Sequence, residues 1–194
     1  MGWTTHRAIE MKKILLTTLV GSALFMSGCI GAGKISTIKY NGAGQFPSLT
    51  GIDLHGQERE IPKSFSGELN IVAVAFQRQQ QKDVDTWIPK IDTLIEGSDA
   101  LKFYEIPVIY EVNMANRMFI NNGMRAGIED DKARSRTITV YTSREDFIKF
   151  MSMEEDDIYI LLLNKDGEIL WRHKGAYDAD AFKDLNDVIK DIQR

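Results

Sequence analysis

Cysteine occurs once in this chain, at Cys29. An intramolecular disulfide is therefore excluded, and so is a metal site built on several thiolates. Histidine is almost as scarce, with His6, His55 and His173 far apart. None stands at a metal-ligand spacing from the acidic residues, so neither a metal nor any other cofactor is expected. No glycine-rich phosphate loop follows an apolar strand-like run, which removes the common nucleotide-binding reading. Positive charge is in deficit, with 24 Lys and Arg against 28 Asp and Glu. A nucleic-acid binder needs a basic footprint, so that class of partner is set aside.

The long apolar run is short for a membrane span. From Met11 the chain reads Met-Lys-Lys, then Ile14 to Phe25 without a charge, then Met26-Ser27-Gly28-Cys29. A basic start, an apolar stretch of this length and small residues before a break are the parts of a secretory signal peptide. Met11 is read as the alternative start to Met1, because residues 1–10 add nothing to that signal. The ending resembles the bacterial lipobox, in which small residues lead directly into a cysteine. That resemblance implies cleavage after Gly28 and lipidation of Cys29, palmitate included. Three acyl chains exceed what stable anchoring requires. The plain alternative is an ordinary signal peptide with an incidental cysteine. With Ile30 following, the resemblance to such lipoproteins implies a cell-envelope location, at the outer membrane and facing the periplasm. Removing residues 1–28 leaves 166 residues with 21 basic and 27 acidic side chains, a net charge of −6. That length suffices for one domain with a proper core.

Residues 29–44 read as a lipidated tether, rich in glycine and small polar residues. The domain then spans 45–194. Ser48 to Leu54 and Glu58 to Ile61 flank His55-Gly56-Gln57, the pattern of a hairpin. Leu69 to Phe76 is a nearly unbroken apolar run with β-branched residues, suited to a strand covered on both faces. Val84, Trp87, Ile88, Ile91, Leu94 and Ile95 recur at helical spacing. Phe103 to Val112 reads as a strand, and Pro107 within it places that strand near a sheet margin. A helix over Asn113–Met124, a strand over Thr137–Tyr141 and a helix over Ser143–Met151 follow. Then come strand Ile158–Leu163, a turn at Asn164–Gly167, strand Glu168–Arg172 and a final helix capped by Asp178. Helices crossing between buried strands, closed by one tight hairpin, predict an α/β sandwich with a mixed sheet.

This order resembles the thioredoxin fold in its peroxiredoxin-like form, a three-layer sandwich with an N-terminal β-hairpin. The aromatic Phe76 at the end of the central strand and the helix-interior Pro89 agree on the alignment. Together they place Gln81 and Val84 where that family has its two reactive cysteines. Thiol–disulfide exchange needs a thiolate and a resolving thiol, and neither residue supplies one. The family's proline before the penultimate strand is also missing, since that stretch is Glu154-Glu155-Asp156-Asp157-Ile158. The expectation is a redox-inactive domain and no enzyme.

Gly123 to Ile128, Arg134 to Ile138, Ile158 to Leu163 and Gly167 to Arg172 with Gly175 resemble the Atp10 assembly-factor group. That resemblance implies an assembly chaperone without redox chemistry, and so a protein client as partner. Two stretches are the candidate binding residues. The polar run containing Gln77, Arg78 and Gln81 occupies the place of the family's reactive loop, where amides can hold an extended peptide or simply be solvated. Arg125, Arg134 and Arg136 are read as one loop between helix and strand. Guanidinium groups there either grip a carboxylate or phosphate of a small anionic ligand, or pair with Glu129, Asp130 and Asp131 beside them. Trp87 and Trp171 are read as core residues.

Overall fold

The computed structural model describes residues 44–194. The signal segment, Cys29 and the tether up to residue 43 lie outside the described residues.

The domain opens with the expected hairpin, β1 (Leu49–Asp53) and β2 (Glu58–Ile61), paired antiparallel with Leu49 opposite Ile61. Asp53 holds its turn. One carboxylate oxygen accepts from the backbone N–H of His55 (3.0 Å) and Gln57 (2.9 Å), and the other receives Arg59 at 2.9 Å. A carboxylate can be buried as deeply as this one only when its acceptor sites are filled in that way. Gly56 sits in the turn at φ +86°, a conformation that other residues adopt at a cost.

Strand β3 (Leu69–Ala75) leads through a 3-10 turn, Arg78–Gln80, into α1 (Gln81–Ile95). Then follow β4 (Leu101–Tyr110), α2 (Met114–Gly127), α3 (Asp131–Arg136), β5 (Ile138–Thr142) and α4 (Arg144–Met151). The chain closes with β6 (Tyr159–Asn164), β7 (Ile169–Lys174) and α5 (Ala179–Ile192). The seven strands form one mixed sheet in the order β2-β1-β5-β4-β3-β6-β7, with β3, β4 and β5 mutually parallel.

Strand alternation divides the core between the two sheet faces. Ile71, Ala73, Phe103, Ile160 and Leu162 meet Val84, Trp87 and Ile91 of α1 and Leu185 and Ile189 of α5. Val72, Val74, Ile106, Val108, Leu161 and Leu163 pack with Phe147 and Met151 of α4 and with Phe46. The architecture is the thioredoxin-like three-layer sandwich with a mixed sheet.

Three expectations are corrected. β4 is the middle strand of the sheet, not a marginal one. Pro107 is tolerated there because it stands at a changeover. Pairing with β3 ends at Ala75 opposite Pro107, and the ladder with β5 begins at Val108 opposite Val140. Second, the stretch holding Arg134 and Arg136 is a helix, α3, capped by Asp130, whose carboxylate accepts from Ala133 N at 2.6 Å. Third, of the two tryptophans only Trp87 is fully enclosed; Trp171 is half-buried and donates to Asp184 at 2.7 Å.

Candidate functional site

Because β3, β4 and β5 run parallel, their C-terminal ends emerge on one edge of the sheet, the usual place for a site in an open α/β sheet. Gln81 is the first residue of α1 and is exposed there. Val84 follows in the same turn, 2% exposed, and Trp87 is wholly buried one turn on. The two positions aligned with reactive cysteines are thus at the amino end of the helix that carries Trp87. Residues 44–194 contain no cysteine.

The side chains ahead of Gln81 turn inward. Gln80 is buried, and its carbonyl oxygen accepts from Phe76 N (2.7 Å) and Gln77 N (3.0 Å). Its amide nitrogen donates to Glu155 O at 2.8 Å. Gln77 reaches the same segment, at Glu155 O (3.4 Å) and the Asp156 carboxylate (3.2 Å). Arg144 completes the closure, donating to Phe76 O at 2.7 Å and Glu155 Oε1 at 2.5 Å while its guanidinium lies 3.6 Å from the Tyr110 ring centroid. The acidic stretch that replaces the family's proline segment is therefore bound to the polar loop through the chain's own groups. What remains outward is Arg78, Gln79, Gln81 and Lys82.

Gln81 joins a second set of polar groups under α1. Its amide donates to Asp85 (3.0 Å) and to Glu105 (3.3 Å) on β4. Arg136 approaches Glu105 from α3, with Nε 3.5 Å from the carboxylate but without hydrogen-bond geometry. It also donates to Asp92 at 2.9 Å and stands over the Phe103 ring. Burial pushes the Glu105 carboxyl up from its ordinary value, and the Gln81 hydrogen bond and the Arg136 charge only partly oppose this.

The arginine loop is not one site. Arg134 donates to Ile128 O (2.7 Å) and Arg125 O (3.1 Å), closing the end of α2. Arg136 turns to Asp92 and Glu105, and Arg125 is exposed on α2. The neighbouring acids are not their partners either. Asp130 caps α3, and Asp131 faces His55 at 3.5 Å. His55 also meets Ser135 Oγ at 3.1 Å, but through the same Nε2 that faces Asp131. A relay for acyl transfer needs the two contacts on opposite ring nitrogens. Among the described residues no group of three or more His, Cys, Asp or Glu could hold a metal ion. Nor is any described helix long and apolar enough to cross a membrane.

Gln80, Arg144, Glu155, Tyr110 and Glu105 were not singled out by sequence reasoning. One signal was present. Arg144 occupies the first turn of a helix, where the dipole disfavours a cation; a cation there needs another task.

Solved structures with similar folds carry the thiol chemistry that this domain lacks. The thioredoxin domain of a thiol-disulfide oxidoreductase from Bacteroides vulgatus superposes with TM-score 0.50 at 17% identity, covering 77% of this chain and 97% of its own. A thiol:disulfide interchange protein from Bacteroides sp. gives 0.51 at 16%, with 75% and 88% covered. BsSco, of the Sco family of cytochrome c oxidase assembly proteins, gives 0.51 at 12%, with 80% and 97% covered. At such identities the likeness shows the fold alone. No curated protein matches the sequence. The sequence profile of the ATP10 protein family, however, matches residues 25–192. A match over most of the length, on a thioredoxin-like fold, decides the family: this chain belongs to the ATP10 proteins.

Proposed function

We propose that this protein is a lipid-anchored assembly module of the bacterial cell envelope, held by Cys29 and using its thioredoxin-like domain to hold a protein client without redox chemistry. Family and fold fit an assembly module. The observation that carries the reading is the state of the site edge. Gln81 and Val84 stand at the helix N-terminus, and the loop beside them is closed by Gln80 and Arg144 rather than left open around a reactive group. Such an edge can bind but has no thiol to exchange. The exposed donors Arg78, Gln79, Gln81 and Lys82 then form the contact surface for an extended client segment. The anchored domain is placed at the outer membrane, in the periplasm.

The test uses intact cells. A photo-crosslinking residue at Arg78 should capture a client. Arg78→Ala with Lys82→Ala should abolish capture elsewhere on the domain while leaving thermal stability unchanged, since neither is buried. Capture that survives the double variant would remove the site from this edge. Cys29→Ser should move the protein out of the membrane fraction; a fully processed, membrane-bound Ser variant would end the anchoring reading.

A further inference from the structure

Helix α2 presents its side chains the wrong way round for a helix in water. Its inward stripe is Arg117, Ile120, Asn121 and Met124, each half-buried. Two of these four are polar, and they are held in place. Arg117 donates to Val112 O at 3.0 Å and lies 5.0 Å from the Tyr141 ring centroid. Asn121 accepts from the Tyr141 hydroxyl at 2.8 Å. The outward stripe carries Met114, Met118 and Phe119, exposed to 66%, 59% and 81%. No residue of α2 is fully buried. Rotating the helix to hide the apolar side would break the Tyr141 and Val112 contacts, so the exposure is built in.

We propose that this outward face is a bilayer-contact surface, seating Met114, Met118 and Phe119 among the outermost acyl carbons of an anionic membrane, with Arg125 at the phosphate level. It rests on the anchoring proposed above and goes beyond it, because it assigns the domain a second membrane contact.

Charge selects the lipid surface as occupant. From Val112 to Ile128 there is no carboxylate, and Arg117 and Arg125 are the charged residues. The rest of 44–194 has 17 basic and 27 acidic residues, a net of −10. An anionic surface therefore repels every other side of the domain and attracts this one. Area points the same way. With an aromatic-sized side chain presenting about 150–250 Å², the three expose on the order of 400 Å², half of the roughly 800 Å² per partner that a free-standing protein interface buries. A patch of that size holds only when something else keeps the surface close. The 15 residues between Cys29 and Gly44 span at most about 50 Å, which keeps α2 within reach of the bilayer. Methionine suits such a face, since its flexible thioether packs against irregular apolar surroundings.

The test uses the full chain, processed and reconstituted in vesicles, with Phe119→Trp as the reporter and the unsubstituted chain as background for the native tryptophans. Vesicles are neutral phosphatidylcholine, or the same with phosphatidylglycerol, each with brominated acyl chains. The reporter should be quenched at least about twofold in the anionic vesicles and much less in the neutral ones. Adding Arg125→Glu should reverse the quenching. If the chain floats with the vesicles but the reporter stays quenchable only by aqueous iodide, the anchor stands and this contact is wrong. Equal quenching in neutral and anionic vesicles overturns the assignment to charged lipid. A chain that does not float at all overturns both readings.

Discussion

Arg136 and Arg144 each tie together segments far apart in the chain, and each is tied to a carboxylate that the apolar core would not otherwise admit. Glu105 is the more informative partner, because it is enclosed beneath α1 with one weak amide donor and an imperfectly placed guanidinium. Its carboxyl is raised, burial being the largest cause. A raised acid holds its proton in the folded state after the unfolded chain has released it. Folding stability from this group is therefore undiminished below the unfolded value of 4.5 and falls as pH rises through the folded value. Glu105→Gln keeps the shape and an acceptor for Gln81 but cannot ionise. Its stability relative to the parent should rise with pH above that point, with a slope no steeper than about 1.4 kcal/mol per unit. Urea midpoints at acidic and neutral pH would show it. A difference independent of pH, or one that favours the parent as pH rises, would mean that Arg136 compensates the buried charge fully.

Helix α2 depends on its ends more than on its packing. Nothing on it is fully buried, and its first turn is closed by Asn113, which accepts from Asn116 N at 3.0 Å. Removing an N-cap of this kind costs about 1 kcal/mol. In a helix packed into the core that loss would reach the whole fold; here it should stay local. Asn113→Ala should speed amide exchange across α2 about fivefold, the factor that 1 kcal/mol represents, while the melting temperature hardly moves. A clear drop in melting temperature would show that α2 is coupled to the core after all. The same difference in packing explains what sequence could reveal. α1 and α5 were readable because Val84, Trp87 and Ile91, and Leu185 and Ile189, repeat one buried stripe over four turns. α3 was not, being six residues long with no apolar stripe, and only its Asp130 cap marked it. The outward apolar face of α2 was invisible because periodicity reports that a helix has an apolar side, not which side faces the sheet.

At the scale of the molecule, the sheet order places the ends of β3, β4 and β5 beside the start of α1. The alignment of Gln81 and Val84 could be read from local spacing, five residues after Phe76 and five before Pro89. What surrounds them could not, because Arg144 reaches Phe76 across 68 residues and Gln80 reaches Glu155 across 75. Such contacts exist only after folding has set the strand order. The alignment itself can be tested by restoring what the fold usually carries there. Residues three apart in an α-helix have Cα atoms about 5 Å from each other, within the span that a disulfide bridges. Gln81→Cys with Val84→Cys should therefore close an intramolecular disulfide under mild oxidant, seen as loss of both titratable thiols in the folded protein. The exposed thiol at the helix N-terminus should react first with an alkylating probe, since that position favours the thiolate, while the one replacing Val84 stays shielded. Only the bridge at this site should then permit any insulin reduction, and the parent domain should have none. A folded double variant whose thiols both remain free would mean that α1 begins elsewhere along the chain, and the correspondence of this edge with the reactive edge of its redox-active structural neighbours would be lost.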